Sequence, residues 1–163
     1  MRKHGSLARG VAGLARRWFG VAPGLEQRIP ELDYRKADGT VMHAIMDVVL
    51  PHIGGRELID VTVRQSAAGG AAARRAAARR DGVPSRTAEQ QKHARYPTRE
   101  LVAFAVKGCG RLGGEARAWL KRGAYSQPGD MQVAELTRAQ RIISAAVQGE
   151  TARALRASAG LGR

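Results

Sequence analysis

Asp47 and Asp60 are acids set inside apolar runs, Ala44-Ile45-Met46-Asp47-Val48-Val49-Leu50 and Leu58-Ile59-Asp60-Val61-Thr62-Val63. Both runs are rich in β-branched residues and have the length of a strand. Burying a carboxylate is costly unless something binds it, so acids in such places call for a ligand. Two carboxylates on neighbouring strands are hard oxygen donors of the kind that suits Mg²⁺ or Mn²⁺. The competing reading is that one aspartate ends a strand or lies in a turn and faces water.

The elements that must position this pair are set by the linker. Pro51-His52-Ile53-Gly54-Gly55-Arg56 has turn composition, which predicts a hairpin. A turn centred between Ile53 and Gly54 makes Asp47 and Asp60 direct cross-strand partners, with both carboxylates on one face and their Cβ atoms about 4.5–5.5 Å apart. Their mutual repulsion destabilises the hairpin, and a bound cation removes it. A shift of one residue would send the two acids to opposite faces.

The 163 residues suffice for one domain with a real core. The net charge is +14, and it is uneven: residues 1–60 carry nine Lys and Arg against seven acids, residues 61–163 nineteen against seven. Such an excess favours a polyanion, with nucleic acid the first partner to consider and an anionic membrane the second. The single cysteine, Cys109, excludes an internal disulfide framework and points to a reducing compartment; the four histidines show no zinc-ligand spacing. No apolar stretch is long enough for a membrane span. Leu7, Val11, Leu14 and Trp18 recur at helical spacing among Arg2, Lys3, Arg9, Arg16 and Arg17, a pattern that fits either an amphipathic first helix with a basic face or a mitochondrial transit peptide.

Further along, Asp38-Gly39 marks a turn. Residues 67–86 collapse toward Ala, Gly and Arg, and Arg74, Arg75, Arg79 and Arg80 would cluster on one side of a helix; this low-complexity insert would add sequence-independent phosphate contacts. Thr87 to Tyr96 is helical in pattern, stops before Pro97, and sets Lys92 and Tyr96 on one face. Leu101 to Val106 reads as a strand and Glu115 to Arg122 as a helix. Between them Gly108-Cys109-Gly110-Arg111-Leu112-Gly113 spells GxGxxG, but a dinucleotide site also needs a later strand bearing an acid, and the chain beyond Pro128 is helical in pattern. Glycines at a strand-to-helix corner are the better account. Asp130 can cap a last helix whose stripe is Val133, Leu136, Ile143 and Val147.

Taken in order, Glu26-Gln27-Arg28-Ile29-Pro30-Glu31, Met46 through Pro51, Leu58 through Val63, Lys92-His93-Ala94-Arg95-Tyr96-Pro97 and Leu101 through Gly113 resemble the restriction-endonuclease-like domain at the C-terminal end of certain non-LTR retrotransposon polyproteins, a branch of the PD-(D/E)XK nucleases. The resemblance covers about residues 1–125, leaving 126–163 as a C-terminal helical extension. It implies an α/β fold with a restriction-endonuclease-like mixed sheet flanked by helices. It also makes the N-terminal helix native to the domain.

The activity implied is metal-dependent nicking of DNA in the nucleus, with mitochondrial import the alternative, and with a reverse transcriptase domain outside this sequence as a partner. Asp47, Asp60 and the Val61 carbonyl would hold Mg²⁺ or Mn²⁺, with Glu26 or Glu31 as a further acid. Lys92 would be the catalytic lysine, and Arg95 with the Arg-rich insert would bind DNA. Three positions depart from the family pattern: Met46 replaces the proline before the first acid, Thr62 the lysine two residues after the second, and Lys107 an acid before the glycine corner. The other class open to the chain is a non-catalytic basic nucleic-acid-binding module.

Overall fold

The computed structural model describes residues 5–64, 83–108 and 110–158. The Arg-rich segment with Arg74, Arg75, Arg79 and Arg80, and also Cys109, lie outside the described residues. The elements run α1 (Gly5–Phe19), β1 (Gly24–Arg28), a 3-10 turn (Pro30–Leu32), β2 (Tyr34–Arg35), β3 (Val41–Met42), β4 (Ile45–His52), β5 (Gly55–Arg64), α2 (Val83–Arg95), β6 (Leu101–Lys107), α3 (Gly114–Tyr125) and α4 (Gln132–Ser158). This is an α/β fold.

Four strands form one mixed sheet in the order β1-β4-β5-β6. β1 and β4 pair antiparallel, as do β4 and β5, whereas β5 and β6 run parallel. β2 and β3 make a separate small ladder around Gly39, whose φ of +82° suits glycine. The long hairpin arises from its sequence: alternating β-branched residues extend both strands to a tight turn at Ile53 and Gly54, and Gly54 takes φ +85°. Pro51 and Arg56, expected in the turn, instead face each other across the ladder.

One face of the sheet carries Val48, Leu50, Ile59, Val61, Phe104 and Val106 into the main core. α1, α3 and α4 cover it. Leu7, Val11, Leu14 and Trp18 of α1 are all buried there, as their spacing predicts. Each such side chain contributes roughly 1.5–3 kcal/mol relative to exposure. Trp119 of α3 lies 5.7 Å from Trp18 and 5.8 Å from Phe104 between ring centroids. α4 adds Ala139, Ile143 and Val147 to the same core.

The expected stripe on α4 needs one correction. Val133 is exposed, and the position that turns inward is Glu135, which accepts from Arg17 Nε at 2.9 Å, Arg17 Nη2 at 2.7 Å and Trp18 Nε1 at 2.9 Å. A carboxylate with three donors fits where a lone acid would not, and the Arg17 hydrogen bonds hold its pKa at about 2. Thus Arg17, counted with the basic face of the first helix, stays exposed but is committed to an ion pair with a buried acid.

Candidate functional site

The hairpin register pairs Val48 with Ile59 and Val49 with Leu58. Continued by one position it sets Asp47 opposite Asp60, as the turn composition predicts. Alternation places both on the face opposite the main core, the face that carries Val49, Leu58 and Leu101 into a second, smaller cluster with Tyr96. Both aspartates are buried, at 4% and 5% exposure. At this point the backbone ladder gives way: the Val61 N–H donates to Asp47 Oδ2 at 2.7 Å, so a carboxylate takes the place of a strand carbonyl.

α2 lies over this face. Its inward side chains, Ser85, Ala88 and Glu89, are buried, and the next turn presents Lys92. Small residues on β6, Ala103 and Ala105, let the helix approach. Lys92 Nζ donates to Asp60 Oδ2 at 2.5 Å, with the lysine 19% and the aspartate 6% exposed. Burial of the Asp60 carboxylate is therefore offset by an ammonium.

Several contacts fix the helix so that Lys92 arrives there. Arg64 Nη2 donates to Gln91 Oε1 at 2.6 Å. His93 Nε2 lies 2.7 Å from Glu115 Oε1, while Glu115 Oε2 accepts the N–H of Ala103 at 2.8 Å. Ala103 is the β6 partner of Asp60, so the outer edge of β6 is tied to α2 and α3 level with the site. Glu89 Oε1 accepts the Glu115 N–H at 3.1 Å, and burial pushes the Glu89 carboxyl up. Below Lys92, Tyr96 is buried against Tyr34, and burial followed by the nearby Asp60 charge raises its phenol.

On the other side of β4, the register that sets Leu25 against Val48 and Gln27 against Met46 places Glu26 opposite Asp47. Glu26 is exposed and has φ +49°, the one described non-glycine residue in the left-handed region. Such backbone costs about 1–3 kcal/mol and concentrates at functional sites. Behind it, Asp33 accepts from Arg28 Nη2 at 2.5 Å and from the Ala44 N–H at 2.8 Å, with His43 Nδ1 2.9 Å away. These contacts hold its carboxyl well below the usual range and anchor the entry to β4.

Glu31 takes a different path. It pairs with Arg56, which also reaches Glu100 Oε2 at 3.1 Å. Arg56 is four residues from Asp60, about 13 Å along the strand, so Glu31 braces the hairpin away from the aspartates. Arg95 sits with its guanidinium 5.7 Å from the Tyr34 ring centroid, packing on the small β2–β3 ladder. Lys107 is buried at the end of β6, opposite Arg64 in the register.

The structure therefore brings together Asp47, Asp60, the Val61 backbone and Lys92, with Glu26 in line and Glu31 apart. The residues that sequence reasoning missed are Glu89, His93 and Glu115. Only Glu89 had a signal, its helical spacing of three from Lys92; the others act through contacts remote in sequence. Two buried carboxylates in one row suit Mg²⁺, which retains several waters and is held by one or two carboxylates. Among the described residues no three His, Cys, Asp or Glu side chains converge as a metal site. A cavity of about 920 Å³ lies at the turn end of the hairpin among Leu50, His52, Ile53, Arg99 and Glu100, away from the aspartates. No described helix is long and apolar enough to cross a membrane. The glycine corner leads into two helices with no strand after them among the described residues, so the dinucleotide fingerprint lacks its context there. No family model, no curated protein and no solved structure matches the chain.

Proposed function

We propose that this chain is a metal-dependent DNA endonuclease domain that nicks one strand, of the PD-(D/E)XK kind it resembles in sequence. The observation that carries this reading is the 2.5 Å contact of Lys92 Nζ with Asp60 Oδ2, on the sheet face shared by Asp47. Two buried carboxylates and one lysine are expensive to maintain in a small core, and phosphodiester hydrolysis uses that set. The reading draws its polyanion partner from the net charge of +14.

In this proposal Asp47 and Asp60 hold Mg²⁺ or Mn²⁺, with the Val61 carbonyl as a further oxygen donor. The bound ion supplies an activated water and charge stabilisation at the developing oxyanion. Asp47 is oriented by the Val61 N–H, and Asp60 by Lys92. As an ammonium, Lys92 can donate both to Asp60 and to a phosphoryl oxygen, so it steadies charge where the transition state develops it. Glu26, rather than Glu31, is the acid in line to orient water or ion. Tyr96 closes the floor of the site. A reverse transcriptase domain is the partner that the resemblance adds, with target-primed synthesis the process the nick would serve.

The test is nicking of supercoiled plasmid by the purified protein with Mg²⁺ or Mn²⁺, beside Asp60→Ala and Lys92→Ala. Metal-dependent nicking that both substitutions remove supports the proposal, and a roughly tenfold loss in Glu26→Gln would add the third acid. Plasmid binding equal in all three proteins, without nicking, would establish the second reading, a non-catalytic basic module. The net charge of +14 serves that module as well, because attraction to a polyanion needs no catalytic group.

A further inference from the structure

The cavity of about 920 Å³ at the turn end of the hairpin takes no part in the proposed chemistry. One wall is the unfinished margin of the main core: Leu50 belongs to that core, and Phe19, Val21 and Val102 pack on it while remaining only partly buried. Leu50 and Val102 lie on the sheet face opposite the aspartates. Ile53, at the tip of the hairpin, lines the same cavity and is fully exposed. Aliphatic and aromatic surface is thus left against solvent both on the wall and at the lip. The volume is that of a site for a small organic molecule.

The charges of the lining narrow its chemistry. Both acids there are matched: Glu57 accepts from Arg122 Nη2 and, at 3.3 Å, from Trp119 Nε1, and Glu100 accepts from Arg56 Nε at 3.1 Å. Arg56 also pairs with Glu31, and His52 Nδ1 lies 3.3 Å from the Ile53 carbonyl. Arg99 is left over: it is exposed and has no hydrogen bond or ion pair to another described residue. A guanidinium fork beside apolar surface suits one carboxylate on an apolar body. A nucleic-acid strand needs several free cations, and this lining offers one.

We propose that the cavity binds a small apolar carboxylic acid, with its body against Phe19, Val21, Leu50 and Val102 and its carboxylate on Arg99. Ile53 covers the body at the mouth. The site stands apart from the nuclease reading, which uses the opposite face of the sheet.

The experiment follows tryptophan fluorescence of the full chain during titration with octanoate, and with octanamide as its neutral counterpart. The chain has two tryptophans, and both adjoin the wall: the rings of Trp18 and Trp119 lie 6.4 and 6.1 Å from that of Phe19, and Trp119 donates to Glu57. Octanoate should give a saturable change and bind about tenfold more tightly than octanamide. Arg99→Gln should bind the two alike, at the octanamide level. Val21→Phe, which fills the cavity, should bind neither.

Arg99 is exposed, so its variant keeps the fold and decides the matter if Val21→Phe does not fold. A change that never saturates, equal affinity for the two ligands in wild type, or an octanoate affinity unaltered by Arg99→Gln would overturn the proposal. Octanoate displaced by a stoichiometric DNA duplex would assign the cavity to the polyanion surface and overturn it as well. Failure of the plasmid to be nicked bears only on the nuclease reading.

Discussion

On the face of the sheet covered by α1, α3 and α4, Phe104, Trp119, Trp18 and the aliphatic residues of β4 and β5 pack with interlocking rings, and the one acid brought inside, Glu135, is matched by three donors. On the α2 face, Asp47, Asp60, Glu89 and Lys107 are buried polar groups among alanines, and Lys92 completes the arrangement from the helix. Alternate residues of the same strands supply both surfaces. Period-two geometry thus lets a single hairpin carry a stabilising surface and a costly one, each answerable to different selection.

The sharpest way to separate the two faces is Asp60→Asn. It keeps an acceptor for Lys92 but removes the charge, so nicking should fall about 10³-fold while the melting temperature holds or rises. A melting temperature lowered by more than about 5 °C would make Asp60 structural and dissolve the contrast. On the opposite face, a Cβ at Gly123 would stand 2.0 Å from Trp18 Cε3. Gly123→Ala should therefore cost about 1–3 kcal/mol in a urea melt by overpacking, with nicking per folded molecule unchanged.

Glu135→Gln is next. The Glu135 carboxyl is lowered from 4.5 to about 2 by Arg17 and Trp18, so its contribution is fully present above the ordinary value and is lost as pH falls toward 2. The variant should lose about 1–2 kcal/mol at neutral pH and show a flatter decline between pH 5 and pH 2 in acid titrations; an unchanged acid limb would count against this account. The smallest effect belongs to Glu31→Gln. Its partner Arg56 is a surface cation shared with Glu100, so thermal melts and nicking should both match wild type. A large loss of nicking would return Glu31 to the site.

Much of this contrast was legible in the residues themselves. Alternation in the two apolar runs and the glycines between them were enough to fix the Asp47–Asp60 register, because a slip by one residue would have exposed Val48, Leu50, Ile59 and Val61 together. Lys92 was reachable because a helix ending before Pro97 sets it one turn from Tyr96. The α4 stripe failed at its first position, since a hydropathy pattern counts Glu135 as surface and cannot see the Arg17 and Trp18 donors more than a hundred residues earlier. Glu115 reaching the Ala103 N–H depends on where α3 begins relative to the edge of β6. Linear spacing does not encode that.

The parallel pairing of β5 with β6 has a consequence for the order in which the molecule assembles. The aspartate hairpin closes through a two-residue turn and can form within microseconds, but β6 returns only after a crossover of 36 residues that includes α2. During the interval the two carboxylates face each other with no ammonium between them. Lys92 can neutralise that repulsion only once the crossover has docked, so the hairpin waits on a contact distant in sequence. Refolding should accordingly quicken in Asp47→Asn, which removes the repulsion within the hairpin, and an unchanged stopped-flow rate would refute it. The contact that completes the candidate site is also the one that commits the chain to its fold.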